Sequence, residues 1–230
     1  MAQGDAILRG IANIRGRKER IEREREEREA NKATWFRLKK DGDSAMIRFL
    51  QELDEDAPGY NADRGTGFVA LEHQNPKEYM RKGLCSVDTE GMCKGCETHQ
   101  LDYKGGWHIR ERLYINVLVK IGREEPFVAV LSQGTSGKSI TPTLLEYAED
   151  GGITNRWFKI SRVGSTFNDT SYTLVGKDAD NETFDEYEVF DLNNVVRNVP
   201  YADQAAHYGL LASRPDDEER PPADTPDDAW

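Results

Sequence analysis

Residues 112–131 read Arg112-Leu-Tyr-Ile-Asn-Val-Leu-Val-Lys120, then Ile-Gly-Arg-Glu-Glu, then Pro126-Phe-Val-Ala-Val-Leu131. Two runs rich in Val, Leu and aromatic residues, parted by a polar stretch at Gly122, spell two strands and a turn. Downstream, residues 139–150 form the one convincing core helix, opening near Thr141-Pro142 and closing at Gly151-Gly152. A last hairpin pairs Arg156-Trp-Phe-Lys-Ile-Ser-Arg162 with Ser171-Tyr-Thr-Leu-Val175. Upstream, Thr34–Leu38 and Ser44–Leu50 flank Asp41-Gly42, a hairpin signal, and Gly67–His73 is a further strand. Residues 74–106 read as loop-rich and contain all three cysteines. The fold class is mainly β with α additions. An OB-type Greek-key barrel with an inserted loop subdomain fits, and a plain β-sandwich is the alternative.

The cysteine spacing points to a metal. Cys93-Lys94-Gly95-Cys96 puts two thiols two residues apart on a glycine turn, and Cys85 lies eight positions upstream. Such a pair offers the bite that tetrahedral zinc prefers, and a closed structural site needs a fourth ligand. His73, at a strand end, is the better placed candidate, with His99 competing. A glycine-rich loop of this kind buries too little to order itself, so the metal would supply its folding energy. Three unrelated cysteines, or a redox pair at Cys93 and Cys96, is the plainer reading.

Charge is unevenly spread. The formal net charge is −11. Residues 1–32 carry 9 basic and 7 acidic groups; residues 33–177 carry 19 and 20; residues 178–230 carry 3 and 15. The last 53 residues therefore account for the whole acidic excess, and a near-neutral core remains free to gather cations in one groove. Three segments follow: a charged N-terminal helix or arm over 1–32, a core over 33–200 with a zinc subdomain at about 73–106, and an acidic tail over 201–230. The N-terminal helix is either a self-association arm or a solvated extension. The tail ends Asp227-Asp228-Ala-Trp230, and an aromatic at the end of a polyanion suits partner docking better than solubility alone. No apolar run is long enough to span a membrane, and no secretory leader is evident, so a cytoplasmic protein is expected.

Binding single strands takes cations for phosphates and aromatic faces for bases. The core interleaves the two: Trp35 and Arg37; Arg48; Tyr79, Arg81 and Lys82; Tyr103, Lys104, Trp107 and Arg110; Arg112 and Tyr114; Arg156, Trp157 and Lys159. In Trp35-Phe36 and Trp157-Phe158, neighbouring side chains point to opposite faces, so one of each pair belongs to the core. Tyr79, Tyr103 and Trp107 lie in polar loops and are the favoured contacts. Gly134-Thr-Ser-Gly137-Lys138-Ser139 imitates a phosphate loop, but Ser132 stands where its first glycine belongs, so ATP is not expected. Lys138, at a helix start, remains a phosphate contact.

These residues resemble the zinc-containing single-stranded DNA-binding protein of T-even phages and its relatives in other tailed phages. In that family a His and three Cys hold zinc in a subdomain inserted in an OB fold. His73, Cys85, Cys93 and Cys96 match that order, and the 112–119 strand, Gly137-Lys138-Ser139-Ile140 and Trp157-Phe158 also fit. The similarity spans about residues 33–177. It implies a structural Zn2+, a non-enzymatic role coating single-stranded DNA in replication, recombination and repair, and an acidic tail that recruits replication proteins. The N-terminal segment is longer and more mixed in charge than the family's short basic arm. The alternative is a zinc-bearing adaptor that touches protein in replication or transcription. Scattered core carboxylates, with no cluster for catalytic magnesium, argue against an enzyme.

Overall fold

In this computed structural model, residues 33–78, 81–166 and 169–210 are described, with Arg15, Gly16 and Lys18. Those last three are helical; the rest of the expected N-terminal helix lies outside the described residues, as do Tyr79, Asp227, Asp228 and Trp230. The strands are β1 (Trp35–Phe36), β2 (Ser44–Phe49), β3 (Phe68–Gln74), β4 (Lys82–Leu84), β5 (Arg110–Lys120), β6 (Phe127–Gly134), β7 (Phe158–Val163) and β8 (Ser171–Gly176). The helices are α1 (Val87–Glu90), α2 (Lys94–Leu101), α3 (Thr141–Glu149), α4 (Leu192–Val195) and α5 (Tyr201–His207). The fold is mainly β, with the strands in one mixed sheet. The chain forms two compact units. One holds the chain up to Ala70 and Glu111–Val196; the other holds Leu71–Arg110 and the chain from Arg197 on.

In the first unit the strand order is β1-β6-β5-β2-β7-β8, antiparallel except for the parallel β1–β6 pair. One face of the sheet, with Ile47, Phe49, Ile115, Val117, Val119 and Ile160, packs against Leu144 of α3 as the main core. The Tyr172 amide donates to the Lys138 carbonyl at 2.9 Å, tying the start of β8 to the chain leaving β6.

The opposite face explains why β5 is apolar almost throughout. Arg48, Asn116 and Leu118 point that way, yet all are buried. An extended segment over 178–190, called the strap below, covers them. Arg48 is 2% exposed. Its Nη1 donates to both Asp180 carboxylate oxygens at 2.7 and 2.9 Å, its Nε to the Thr154 carbonyl at 2.9 Å and its Nη2 to the Glu182 carbonyl at 3.0 Å. The Asn116 amide donates to the Phe190 carbonyl at 2.9 Å and its carbonyl accepts from the Phe190 amide at 3.1 Å. Burial works against the Asp180 carboxylate, but the Arg48 guanidinium and the Glu182 amide outweigh it and hold its pKa below the ordinary value.

Two sequence expectations are corrected. The Asp41-Gly42 turn does not join a hairpin, because β1 runs parallel to β6, with Trp35 opposite Val130. The loop's polar groups are taken locally: the Asp43 carboxylate accepts the Lys39 and Lys40 amides at 2.9 and 2.7 Å, and Arg162 donates to the Leu38 and Lys39 carbonyls. Residues 74–106 are loop-rich and hold β4, α1 and α2 as short elements. Finally, residues 201–207 are α5 and belong to the second unit rather than to a tail. Tyr201, Gln204 and Tyr208 fall on one side of that helix at helical spacing, and all three find partners there.

Candidate functional site

The second unit brings His73, Cys85, Cys93 and Cys96 together, with their ligand atoms all within 4.8 Å of one another. Each comes from a different local device. His73 lies near the end of β3, where pairing with Gly83 of β4 fixes its backbone. Cys85 follows β4 directly, its amide donating to the Leu71 carbonyl at 2.8 Å. Cys93 caps α2 in an extended conformation, and Cys96 sits one turn into that helix. The CxxC pair is thus a helix N-terminus and not a glycine turn. Gly95 is required for a different reason: a Cβ there would collide with the His73 ring.

The imidazole is oriented from behind. Nδ1 donates to the Trp107 carbonyl at 2.7 Å, which leaves Nε2 facing the thiols, 3.2 Å from Cys96 Sγ. Cys85 and Cys96 Sγ lie 3.6 Å apart, unbridged. Burial opposes ionisation of Cys93, but the His73 ring and backbone hydrogen bonds at Cys96 and Ser86 bring its pKa down to about 6. Burial raises Cys85, and burial with the Cys85 neighbour pushes Cys96 up to about 12. One nitrogen and three sulfurs in this spacing can hold a metal ion. His99 stands outside the set. Its ring lies 4.9 Å from that of Tyr103, and its Nδ1 is buried without a hydrogen-bond partner.

Around the four ligands lies a shell that the sequence reading did not find. Gln204 of α5 is fully buried. Its Oε1 accepts the Lys94 amide at 2.8 Å; its Nε2 donates to Ser86 Oγ at 2.8 Å and to the Val199 carbonyl at 2.9 Å. Ser86 and Lys94 each adjoin a ligand cysteine, so one amide side chain holds both ligand loops. Tyr208 packs edge-on against Trp107 at 5.4 Å, and its hydroxyl donates to the Gly83 carbonyl at 3.3 Å. Burial, with the surrounding thiols, raises the pKa of that hydroxyl. Tyr201 donates to Glu97 at 2.6 Å, and Lys94 lies over the Tyr201 ring.

The other sequence candidates divide by burial. Trp107 and Tyr114 are core residues, the first against Tyr208 and the second against Trp35 and Phe68. Arg48 is locked under the strap. These three are withdrawn as nucleic-acid contacts, because none presents a free face or donor. Arg81 pairs with Glu78 at 2.6 Å, Lys82 with Glu72 at 3.6 Å, and Arg110 with Gln74. Arg112 donates to Ser132 at 2.9 Å, and Arg156 lies over the Tyr147 ring at 5.5 Å. Arg37, Lys104, Lys138 and Lys159 are exposed, Tyr103 is 79% exposed, and Trp35 and Trp157 are half-buried beside the fully covered Phe36 and Phe158.

Trp157 and Lys159 meet Met46, Lys120 and Lys177 in a groove of about 520 Å³ on the outer face of the first unit, its remaining lining being Ser44, Ala45 and Gly122. Strand register makes the row. Met46 lies opposite Lys120 on one side and Lys159 on the other, and Lys159 lies opposite Val175. The Lys177 amide donates to the Trp157 carbonyl at 2.8 Å, extending the last hairpin so that Lys177 faces Trp157. Lys120, Met46 and Lys177 were missed; parity in the β7–β8 hairpin was an available signal for Lys177, whereas Met46 and Lys120 join the row through pairings between strands far apart in the chain. No helix among the described residues is long and apolar enough to cross a membrane. No family model, no curated protein and no solved structure matches the chain.

Proposed function

We propose that this chain binds single-stranded DNA along the Lys120–Met46–Lys159 row, as a non-enzymatic coating protein of replication, recombination and repair. The observation that carries this reading is the groove itself. Three lysines and one tryptophan line a surface that is otherwise Met, Ala, Ser and Gly. Ammonium groups draw phosphates, and an indole beside a thioether suits a stacked base of any identity. The strand order supports an OB-type barrel. Taking β2, β5, β6, β7 and β8 as first to fifth, the order is third-second-first-fourth-fifth, a helix lies between third and fourth, and the Tyr172–Lys138 bond draws the ends together. The four-ligand set supports structural Zn2+, since a closed N1S3 set leaves no open position for chemistry. Exposed Tyr103 and Lys104 are further contacts in this reading, and the resemblance to the tailed-phage proteins accords with all of it. The acidic tail beyond residue 210 would recruit protein partners.

The test is titration of single- and double-stranded oligonucleotides at two salt concentrations. Single strands should bind with steep salt dependence and quench tryptophan fluorescence. Replacing Lys120, Lys159 or Lys177 by Gln should each lower the salt slope by about 1. Equal affinity for duplex, or binding indifferent to salt, refutes the reading.

A further inference from the structure

We infer that Phe184 and Glu182, on the strap, are positioning residues that hold Trp157 as a preset stacking platform. The inference rests on the single-strand reading above and assigns a role to a segment that composition marks as mere solvent-facing acid. Residues 178–191 carry seven acidic groups and no Lys or Arg. Such a stretch would repel the phosphates that a lysine-lined groove attracts, yet it is pinned beside that groove at several points.

The pins converge on one ring. Phe184 meets Trp157 edge-on, with centroids 5.7 Å apart and planes at 90°. The Glu182 carboxylate accepts the Trp157 indole N–H at 3.4 Å. The first contact sets the tilt of the indole plane, and the second sets its rotation within that plane. Phe184 is itself held, because the Arg48 guanidinium lies 4.6 Å over its ring. Arg48 is held in turn by the two-oxygen contact with Asp180. Arg64 Nη2 donates to the Phe184 carbonyl at 2.5 Å and to the Tyr187 carbonyl at 3.2 Å, fixing the strap backbone at the same place. The line Asp180–Arg48–Phe184–Trp157 therefore runs from the ion pair of a buried guanidinium to the only aromatic ring lining the groove among the described residues. A tryptophan already fixed when a base arrives loses little side-chain freedom on binding. The strap thus gives affinity without touching the strand, and its exposed carboxylates are the cost of that placement.

The experiment is a double-mutant cycle on the full chain, read by binding of a single-stranded oligonucleotide. F184A should weaken binding roughly twofold to tenfold, the equivalent of immobilising one large side chain. The salt slope should stay at the wild-type value, because no lysine is touched. The double variant F184A/W157A should bind no more weakly than W157A, since Phe184 acts only through Trp157. F184L, which keeps an apolar body against the indole, should recover most of the loss and serves in the cycle should F184A fail to fold. E182Q should bind more tightly than E182A: both lose the charge, but only the amide still accepts the indole N–H. Equal affinity of F184A and wild type, or a further loss on adding F184A to W157A, overturns the inference and leaves the groove reading intact. A wild-type chain that shows no salt-dependent single-strand binding overturns both.

Discussion

Replacing Gln204 by Ala should weaken metal binding about a hundredfold, although Gln204 touches no ligand atom. Its side chain is fully buried and makes three hydrogen bonds, to the Lys94 amide, the Ser86 hydroxyl and the Val199 carbonyl. Ser86 keeps its own bond to the Met92 carbonyl at 2.6 Å, so the substitution strands two backbone groups and halves the satisfaction of one hydroxyl. At about 1 kcal/mol for each bond lost, the unit is destabilised by about 3 kcal/mol. Alanine is a good helix former, so α5 itself suffers no loss of propensity. Among its described residues the second unit buries few large apolar side chains, chiefly Trp107 and Tyr208, which makes its folding and its metal binding one equilibrium. Destabilisation by 3 kcal/mol then appears as about two decades in apparent affinity. Competition against a chromogenic zinc chelator at fixed pH measures it. An affinity within about twofold of wild type would refute the reasoning, because it would mean that the metal-free unit is already folded around its ligands.

Among the remaining predictions, His73→Ala should abolish tight zinc binding while His99→Ala stays within about twofold of wild type; equal losses would reject the assignment of the fourth ligand. Zinc affinity should rise with pH by at least about a hundredfold per unit between 7 and 8, because Cys85 and Cys96, both raised in the folded unit, must each release a proton to bind, and Cys93 adds a third wherever the metal-free unit unfolds and its lowered pKa is lost. A flat profile from chelator competition at several pH values would contradict these thiol assignments. Arg48→Met should cost about 3 to 4 kcal/mol in thermal or denaturant unfolding, at about 1 kcal/mol for each of the four hydrogen bonds its buried guanidinium makes. Its salt slope for single strands should match wild type, whereas a slope reduced by about 1 would restore Arg48 as a phosphate contact.

The residues that could be read from the sequence were those whose neighbours in the chain carry the information. The ligands Cys85, Cys93 and Cys96 announce themselves by spacing, and His73 by its place at a strand end. The β5–β6 hairpin and α3 follow from apolar runs and from Pro142, Gly151 and Gly152. What failed depended on partners far along the chain. Arg48 looked like a phosphate contact because the strap, 130 residues later, reads as solvated acid. Trp107 and Tyr114 sit in stretches with charged neighbours, and only the return of Tyr208 and Trp35 buries them. Gly95 suggested a turn, and the cause was a histidine ring from β3.

The second unit is closed by two pieces of chain, and this has a consequence for its assembly. All four ligands lie between residues 73 and 96, so the binding set is complete once that loop exists. Some of the groups that satisfy the loop's backbone and bury its side chains do not come from it. Gln204 and Tyr208 arrive more than a hundred residues later, after β5 to β8 and the strap. A chain ending at Val196 therefore keeps every sulfur and nitrogen but loses Gln204's three bonds and the Trp107–Tyr208 contact. Its zinc affinity should fall at least as far as that of Gln204→Ala, whereas a chain ending at Leu210 should bind as the full chain does. If the chain ending at Val196 bound zinc normally, the loop would be a self-sufficient finger and α5 a passenger. The buried amide of Gln204, placed between two ligand loops, argues that it is not.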